Sequence, residues 1–194
     1  MKETQSVEEK LIASFKELVM TEPVERITIK EITDGAGVIR TTFYYHFQDK
    51  YELIERIIVQ ELLNPGIISM VEQDPEEGLL FIFTKLDAER PFYRRLARME
   101  GQNSFEELLK QYIGRALEDF IHRSGSDEKI SRMTERYPWL TMKFVTDYYA
   151  QELTYAVIIF LKTDPPATPA DATEVIEYEL VHSPGETIRE WFLK

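Results

Sequence analysis

The chain has 194 residues, of which 43% are hydrophobic and 30% charged, with a net charge of −12 and no cysteine. This composition describes a folded globular chain of one ordinary domain or two small ones, and it excludes disulfide scaffolds, thiolate nucleophiles and zinc–thiolate sites. It also argues against a general nucleic-acid coat, although the charge is uneven: residues 1–50 hold 7 Lys/Arg and 9 Asp/Glu, a balance of −2, while residues 51–194 hold 16 and 26, a balance of −10.

The longest apolar run, YAVIIFL at 155–161, is about a third of a membrane span. The opening MKETQSVEEK lacks the apolar core of a signal peptide, so a cytoplasmic location is expected. Apolar residues at Val7, Leu11, Ile12, Phe15, Leu18 and Val19 follow a helical stripe over 7–20. Ser6 with Glu9 reads as its capping box. Pro23 breaks the pattern. Thr28 with Glu31 caps a short second helix, IKEITDGA, and Gly37 is a left-handed stop. A third helix of about two turns, IRTTFYYHF, follows. A fourth starts at Asp49 and runs as KYELIERIIVQELL until Asn64-Pro65-Gly66 ends it. Two short helices joined by a Gly-containing turn are a helix-turn-helix signature.

At 100° per residue, Ile39, Phe43 and Phe47 fall within about 80° of one another and are expected to face inward. Arg40, Thr41, Tyr44 and Tyr45 then cover the outer side, with Thr42 and His46 on a flank. Arg can pair with guanine O6 and N7, and Thr and Tyr can reach phosphates or base edges. Lys50 opens the next helix, whose first amides also favour an anion. This surface suits a DNA major groove.

Downstream, the predicted helices are 74–87 with a DPEE start, PFYRRLARM from Pro91, and a long helix boxed by Ser104 and Glu107 that runs to about Arg123. SGSDEK is a loop or helix start. Pro138 begins or kinks the helix 139–162. TDPPATPAD is the clearest break, and Thr168-Pro169-Ala170-Asp171 restarts a helix. Ser183 with Glu186 boxes a last one, TIREWFLK. No alternating strand pattern occurs, so the predicted fold class is all-α. The expected organisation is a three-helix helix-turn-helix domain over 1–50 and a helical domain over 51–194. The histidines His46, His122 and His182 sit in no metal spacing, and there is no nucleophile elbow or Gly-rich phosphate loop. Neither catalysis nor a cofactor is expected.

Residues 27–57, ITIKEITDGAGVIRTTFYYHFQDKYELIERI, resemble the N-terminal domain of the TetR/AcrR family of transcriptional regulators. The resemblance rests on Thr28, Ala36-Gly37-Val38, Thr42-Phe43-Tyr44, His46-Phe47, Lys50 and Leu53 at fixed offsets. GVIRTTFYYHFQDKYEL is further similar to the subgroup found with dihydroxyacetone kinase operons. The resemblance implies a repressor that binds a palindromic operator in double-stranded DNA as a homodimer and is released by a small-molecule effector. It implies phosphate contacts from Thr28 and Lys30, a groove face of Arg40, Thr42 and Tyr44 flanked by Thr41 and Tyr45, and a backbone grip by His46 and Lys50. Ile39 stands where the family usually has a capping Ser or similar residue. Loss of such a cap costs about 1 kcal/mol, and burial of Ile39 against the first helix is expected to offset it.

The family also implies a dimer through the two long C-terminal helices. Leu140, Phe144, Tyr148, Ala156, Ile159 and Phe160 supply apolar material for that face, or else fill a monomer core. Phe105, Tyr112, Phe144, Tyr148 and Tyr149 are candidate effector-pocket residues, or else plain core aromatics. The acidic second domain favours neutral or cationic effectors. A second reading is a TetR-like helical dimer that binds a protein partner in place of DNA.

Overall fold

The computed structural model describes residues 6–181. It contains eleven α-helices and one π-helical turn, and no strand among the described residues. The all-α prediction holds.

The N-terminal unit comprises α1 (Val7–Thr21), α2 (Ile29–Ala36) and α3 (Arg40–His46). Both predicted capping boxes form: Glu9 N–H donates to Ser6 Oγ at 3.1 Å, and Glu31 N–H to Thr28 Oγ1 at 3.3 Å. Gly37 terminates α2 with φ 67° and ψ 34°, a conformation that a Cβ disfavours. Gly35 lets α2 lie directly on α1, because a Cβ there would overlap Ser14 Oγ. Ser14 Oγ in turn donates to the Ile32 carbonyl at 2.8 Å. Leu11, Phe15, Val19, Ile32, Phe43 and Phe47 bury together as the core of this unit.

Helix α4 (Lys50–Ile57) leads without a break into the π turn Ile58–Leu62. The predicted stop at Asn64-Pro65-Gly66 is also a start. Asn64 Oδ1 accepts from Gly66 and Ile67 N–H, and Pro65 occupies the first turn of α5 (Pro65–Gln73). This helix was not foreseen, because one cap motif both closes a helix and opens the next. Then come α6 (Pro75–Ala88), α7 (Arg90–Leu96), α8 (Phe105–Arg123) and α9 (Asp127–Arg136). The SGSDEK stretch therefore opens a helix. Helix α10 (Met142–Lys162) starts three residues later than Trp139, because Thr141 takes the cap by accepting from Phe144 N–H at 3.1 Å. α11 (Pro169–Val181) follows the predicted break. The box at Ser183 and Glu186 lies outside the described residues.

Helices α8 and α10 pack along each other, and α11 lies against α6. Arg90 ties the end of α10 to the segment before α11. Its guanidinium donates to the carbonyls of Phe160 and Ala167, each at 2.7 Å, and stacks on the Phe160 ring at 4.0 Å. The N-terminal unit is joined to the rest by charge as well as by core. Lys16 Nζ on α1 donates to Glu61 of the π turn at 2.7 and 2.9 Å and to Glu89 at 2.7 Å. The buried Tyr93 hydroxyl donates to the same Glu61 carboxylate at 2.6 Å. No described helix is long and apolar enough to cross a membrane.

Candidate nucleic-acid interface and interior cavity

Helix α3 divides as its sequence predicts at Phe43 and Phe47, which are buried. Ile39 does not follow them: it is 70% exposed. Its backbone is extended (φ −89°, ψ 155°), and no side chain caps α3. A helical wheel does not govern a residue outside the helix, so Ile39 points to solvent beside Arg40. The expected compensation by burial is absent.

Arg40, Thr41, Tyr44 and Tyr45 are exposed on the outer face of α3, while Thr42 and His46 are half-buried. Tyr45 is 84% exposed, and Tyr44 rests edge-on against Phe43 at 5.6 Å. Among the described residues, the Arg40 side chain has no hydrogen-bond or ion-pair partner. Its donors remain available to an external acceptor.

The other predicted contacts are more committed. The Thr28 hydroxyl donates to Glu31 at 2.7 Å, and this bond, with the Thr28 backbone N–H, holds the Glu31 carboxyl below its ordinary pKa. Lys30 is exposed and lies 3.7 Å from Asp34. Lys50 turns inward, against the expected phosphate grip. Its ammonium donates to the carbonyls of Val24 (2.7 Å), Glu25 (2.9 Å) and Ile27 (2.8 Å). Burial lowers its pKa, opposed by Glu25 and Asp49. The first amides of α4 are filled too, since Asp49 accepts from Tyr51 and Glu52 N–H.

The five aromatics proposed from sequence for an effector pocket do not meet in one cavity. Phe105 is fully buried against Tyr93, with ring centroids 6.0 Å apart. The Tyr112 hydroxyl donates to Glu55 at 2.8 Å. Phe144, Tyr148 and Tyr149 are 42%, 54% and 43% exposed on α10, with the Tyr148 ring 6.5 Å from Phe144 and 5.3 Å from Tyr149. A cavity of about 310 Å³ lies elsewhere. Its walls are Leu62 and Leu63 at the π turn, Ile67, Ile68 and Val71 on α5, Leu79, Ile82 and Phe83 on α6, Ile113, Ala116 and Leu117 on α8, Leu153 and Val157 on α10, and Ile176 on α11. Glu72, the one ionisable group of the lining among the described residues, is paired with Arg123. The volume falls at the lower end of small-molecule sites. Mostly aliphatic residues spread over five helices carry no sequence motif, and the start of α5 reads as a helix stop.

Residues 11–57 match the family described as bacterial regulatory proteins, tetR family. Residues 73–180 match the family described as transcriptional regulator C-terminal region. Solved structures of the same fold include the dihydroxyacetone kinase operon activator DhaS, at 16% identity over 90% of this chain and 94% of that one, with a TM-score of 0.57. The fatty acid degradation regulator FadR from Bacillus halodurans matches at 16% identity over 94% and 98%, with a TM-score of 0.57. NalD, the secondary repressor of the MexAB-OprM multidrug efflux pump in Pseudomonas aeruginosa, matches at 17% identity over 88% and 92%, with a TM-score of 0.52. No curated protein sequence matches the chain. At these identities the likeness is one of fold, and DhaS is no nearer than FadR, so the dihydroxyacetone kinase subgroup gains no support. The helix-turn-helix and the helical C-terminal region are both matched along most of their length, and the chain belongs to the TetR family of DNA-binding transcriptional regulators.

Proposed function

We propose that the protein is a homodimeric repressor that reads a palindromic operator and is released by a small-molecule effector. Residues 1–50 form the DNA-reading unit, and residues 51–194 form the effector and dimerisation unit. The observation that carries this reading is the outer face of α3, where Arg40, Thr41, Tyr44 and Tyr45 are exposed and Arg40 has no partner among the described residues. Arg40 reads guanine by a bidentate contact, Thr42 and Tyr44 complete the groove face, and Thr28, Lys30 and His46 contact the flanking backbone. Lys50 braces the loop 24–27 beneath them. One helix of seven residues reads too little DNA alone, and two copies about 34–36 Å apart read an inverted repeat.

The dimer reading is supported by α10 and α11, which expose Tyr148, Tyr155, Ile159 and Val175. An apolar groove lies between the two helices, with Ala156, Phe160 and Ala172 among its walls. The apolar cavity supports the effector reading. Selection of bound sequences from random DNA tests operator reading, and an enriched inverted repeat is the expected result. Sedimentation near 23 kDa at micromolar protein would remove the dimer.

A second reading has an observation of its own. Of the three Lys/Arg between 28 and 50, Lys30 faces Asp34 and Lys50 is turned inward, which leaves Arg40 for phosphate or base. A dimer that binds a protein partner in place of DNA fits that sparse charge. No enriched sequence at low salt, from a folded dimer, would favour it.

A further inference from the structure

We infer that the interior cavity binds an uncharged aliphatic chain of about ten carbons. Apart from Glu72, the described residues that line it present hydrocarbon, from Leu62 at the π turn through Val71, Phe83, Leu117 and Val157 to Ile176. An apolar cavity with no unpaired polar group does not hold ordered water, but it does bind apolar molecules. An apolar space of about 310 Å³, partly open to solvent, leaves its walls short of the contacts that a close-packed interior makes. A water takes about 30 Å³ in the liquid and a methylene is of similar size, so the space accepts a chain of about ten carbons.

The charge pattern fixes the head group. Among the described residues, the lining holds no buried cation awaiting a carboxylate and no buried carboxylate awaiting an amine. Among the described residues the only ionisable wall residue is Glu72, which is satisfied by Arg123, and that pair is solvent-accessible, with side-chain exposures of 29% and 56%. A charged group carried inside would be desolvated without a partner. The chain therefore enters first, and the head stays at the rim, where Glu72 and Arg123 already neutralise each other and offer a charged head no free partner, so a small neutral head such as a hydroxyl fits best. Occupancy follows from the cavity alone. Its consequence for operator release rests on the regulator reading above.

The test is calorimetric titration of the full chain, without DNA, by 1-alkanols from hexanol to tetradecanol. Affinity is expected to rise about fourfold per methylene up to about decanol and then level off. Decanoate and decylammonium are expected to bind more weakly than decanol. Ala116→Phe and, separately, Leu117→Trp fill the cavity from half-buried positions on α8. Each is expected to weaken decanol at least tenfold while the thermal transition stays cooperative. Affinity independent of chain length, tighter binding of either charged analogue, or wild-type binding by both filled variants would overturn the proposal. Because no DNA is present, any of these outcomes leaves the operator reading to be decided by sequence selection.

Discussion

Lys16 on α1 and Glu61 in the π turn form a two-pronged ion pair, with Nζ 2.7 and 2.9 Å from the two carboxylate oxygens. Neither side chain is free in solvent, at 18% and 28% exposure. Glu61 also accepts from Tyr93, whose hydroxyl pKa is raised by burial and then by Glu61 itself. Glu61→Ala would leave that buried hydroxyl and the Lys16 ammonium short of a partner. It is expected to cost about 2 kcal/mol in urea denaturation. Tyr93→Phe removes one side of the same contact, so the pair should be non-additive by at least about 0.5 kcal/mol. Strict additivity would mean that Glu61 and Tyr93 do not act together.

Lys50→Ala should act on the fold before it acts on DNA. Three carbonyls of the loop 24–27 lose their donor, and the expected loss is about 1–3 kcal/mol. Thermal unfolding would show this as a lower midpoint. The slope of log affinity against log salt should stay as in wild type, whereas Lys30→Ala should reduce it by about one. A flattened salt slope in Lys50→Ala with an unchanged midpoint would return the residue to a phosphate-gripping role.

Ile39 and Arg40 separate stability from recognition. Ile39→Ser restores a hydroxyl at the uncapped start of α3 and should raise stability by about 1 kcal/mol. The same change removes an exposed apolar group that can meet a thymine methyl, so preference at one base pair per half-site should weaken. Arg40→Ala should leave the unfolding midpoint near wild type and cost about 1–3 kcal/mol per half-site against the selected sequence. Repeating the DNA selection with each variant reads both effects. An unchanged motif in the two variants would exclude both side chains from the interface.

Glu152 on α10 faces Glu179 on α11 along the apolar groove. Its carboxyl pKa is raised above 4.5, first by burial and then by the Glu179 charge. A raised carboxyl pKa means that the ionised form is less favourable in the folded state than in the unfolded one. The stabilising contribution is therefore complete below about pH 4.5 and lost as the pH rises through the folded-state pKa. Glu152→Gln should melt at a higher temperature than wild type at pH 7, and the gap should close at pH 4. A gap that widens on acidification would reverse the assigned sign.

The capping boxes of α1 and α2, the turn at Gly37 and the buried Phe43 and Phe47 were legible in the sequence, because each depends on residues within a few positions. Ile39 departs from the wheel because it is the cap of α3, with an extended backbone outside the helix. Lys50 looked like a surface cation because its carbonyl acceptors lie 23 to 26 residues earlier in the chain. The cavity leaves no local trace: most wall residues are ordinary aliphatics, and only the packing of five helices leaves space between them. Local chemistry specifies elements, and tertiary contacts decide which side chains remain available.

Leu153 and Ile176 line the interior cavity and also the groove between α10 and α11. A single sheet of side chains thus has one surface turned to the proposed effector and the other to the proposed second subunit. Across the same space, Leu62 and Leu63 close the π turn that carries Glu61 toward α1. In the proposed dimer, an occupant that spread these walls would push on two fronts at once, altering how far apart the subunits sit and how each reading head is pitched. Spacing and pitch of the two heads would then change together, so release need not wait on two separate adjustments.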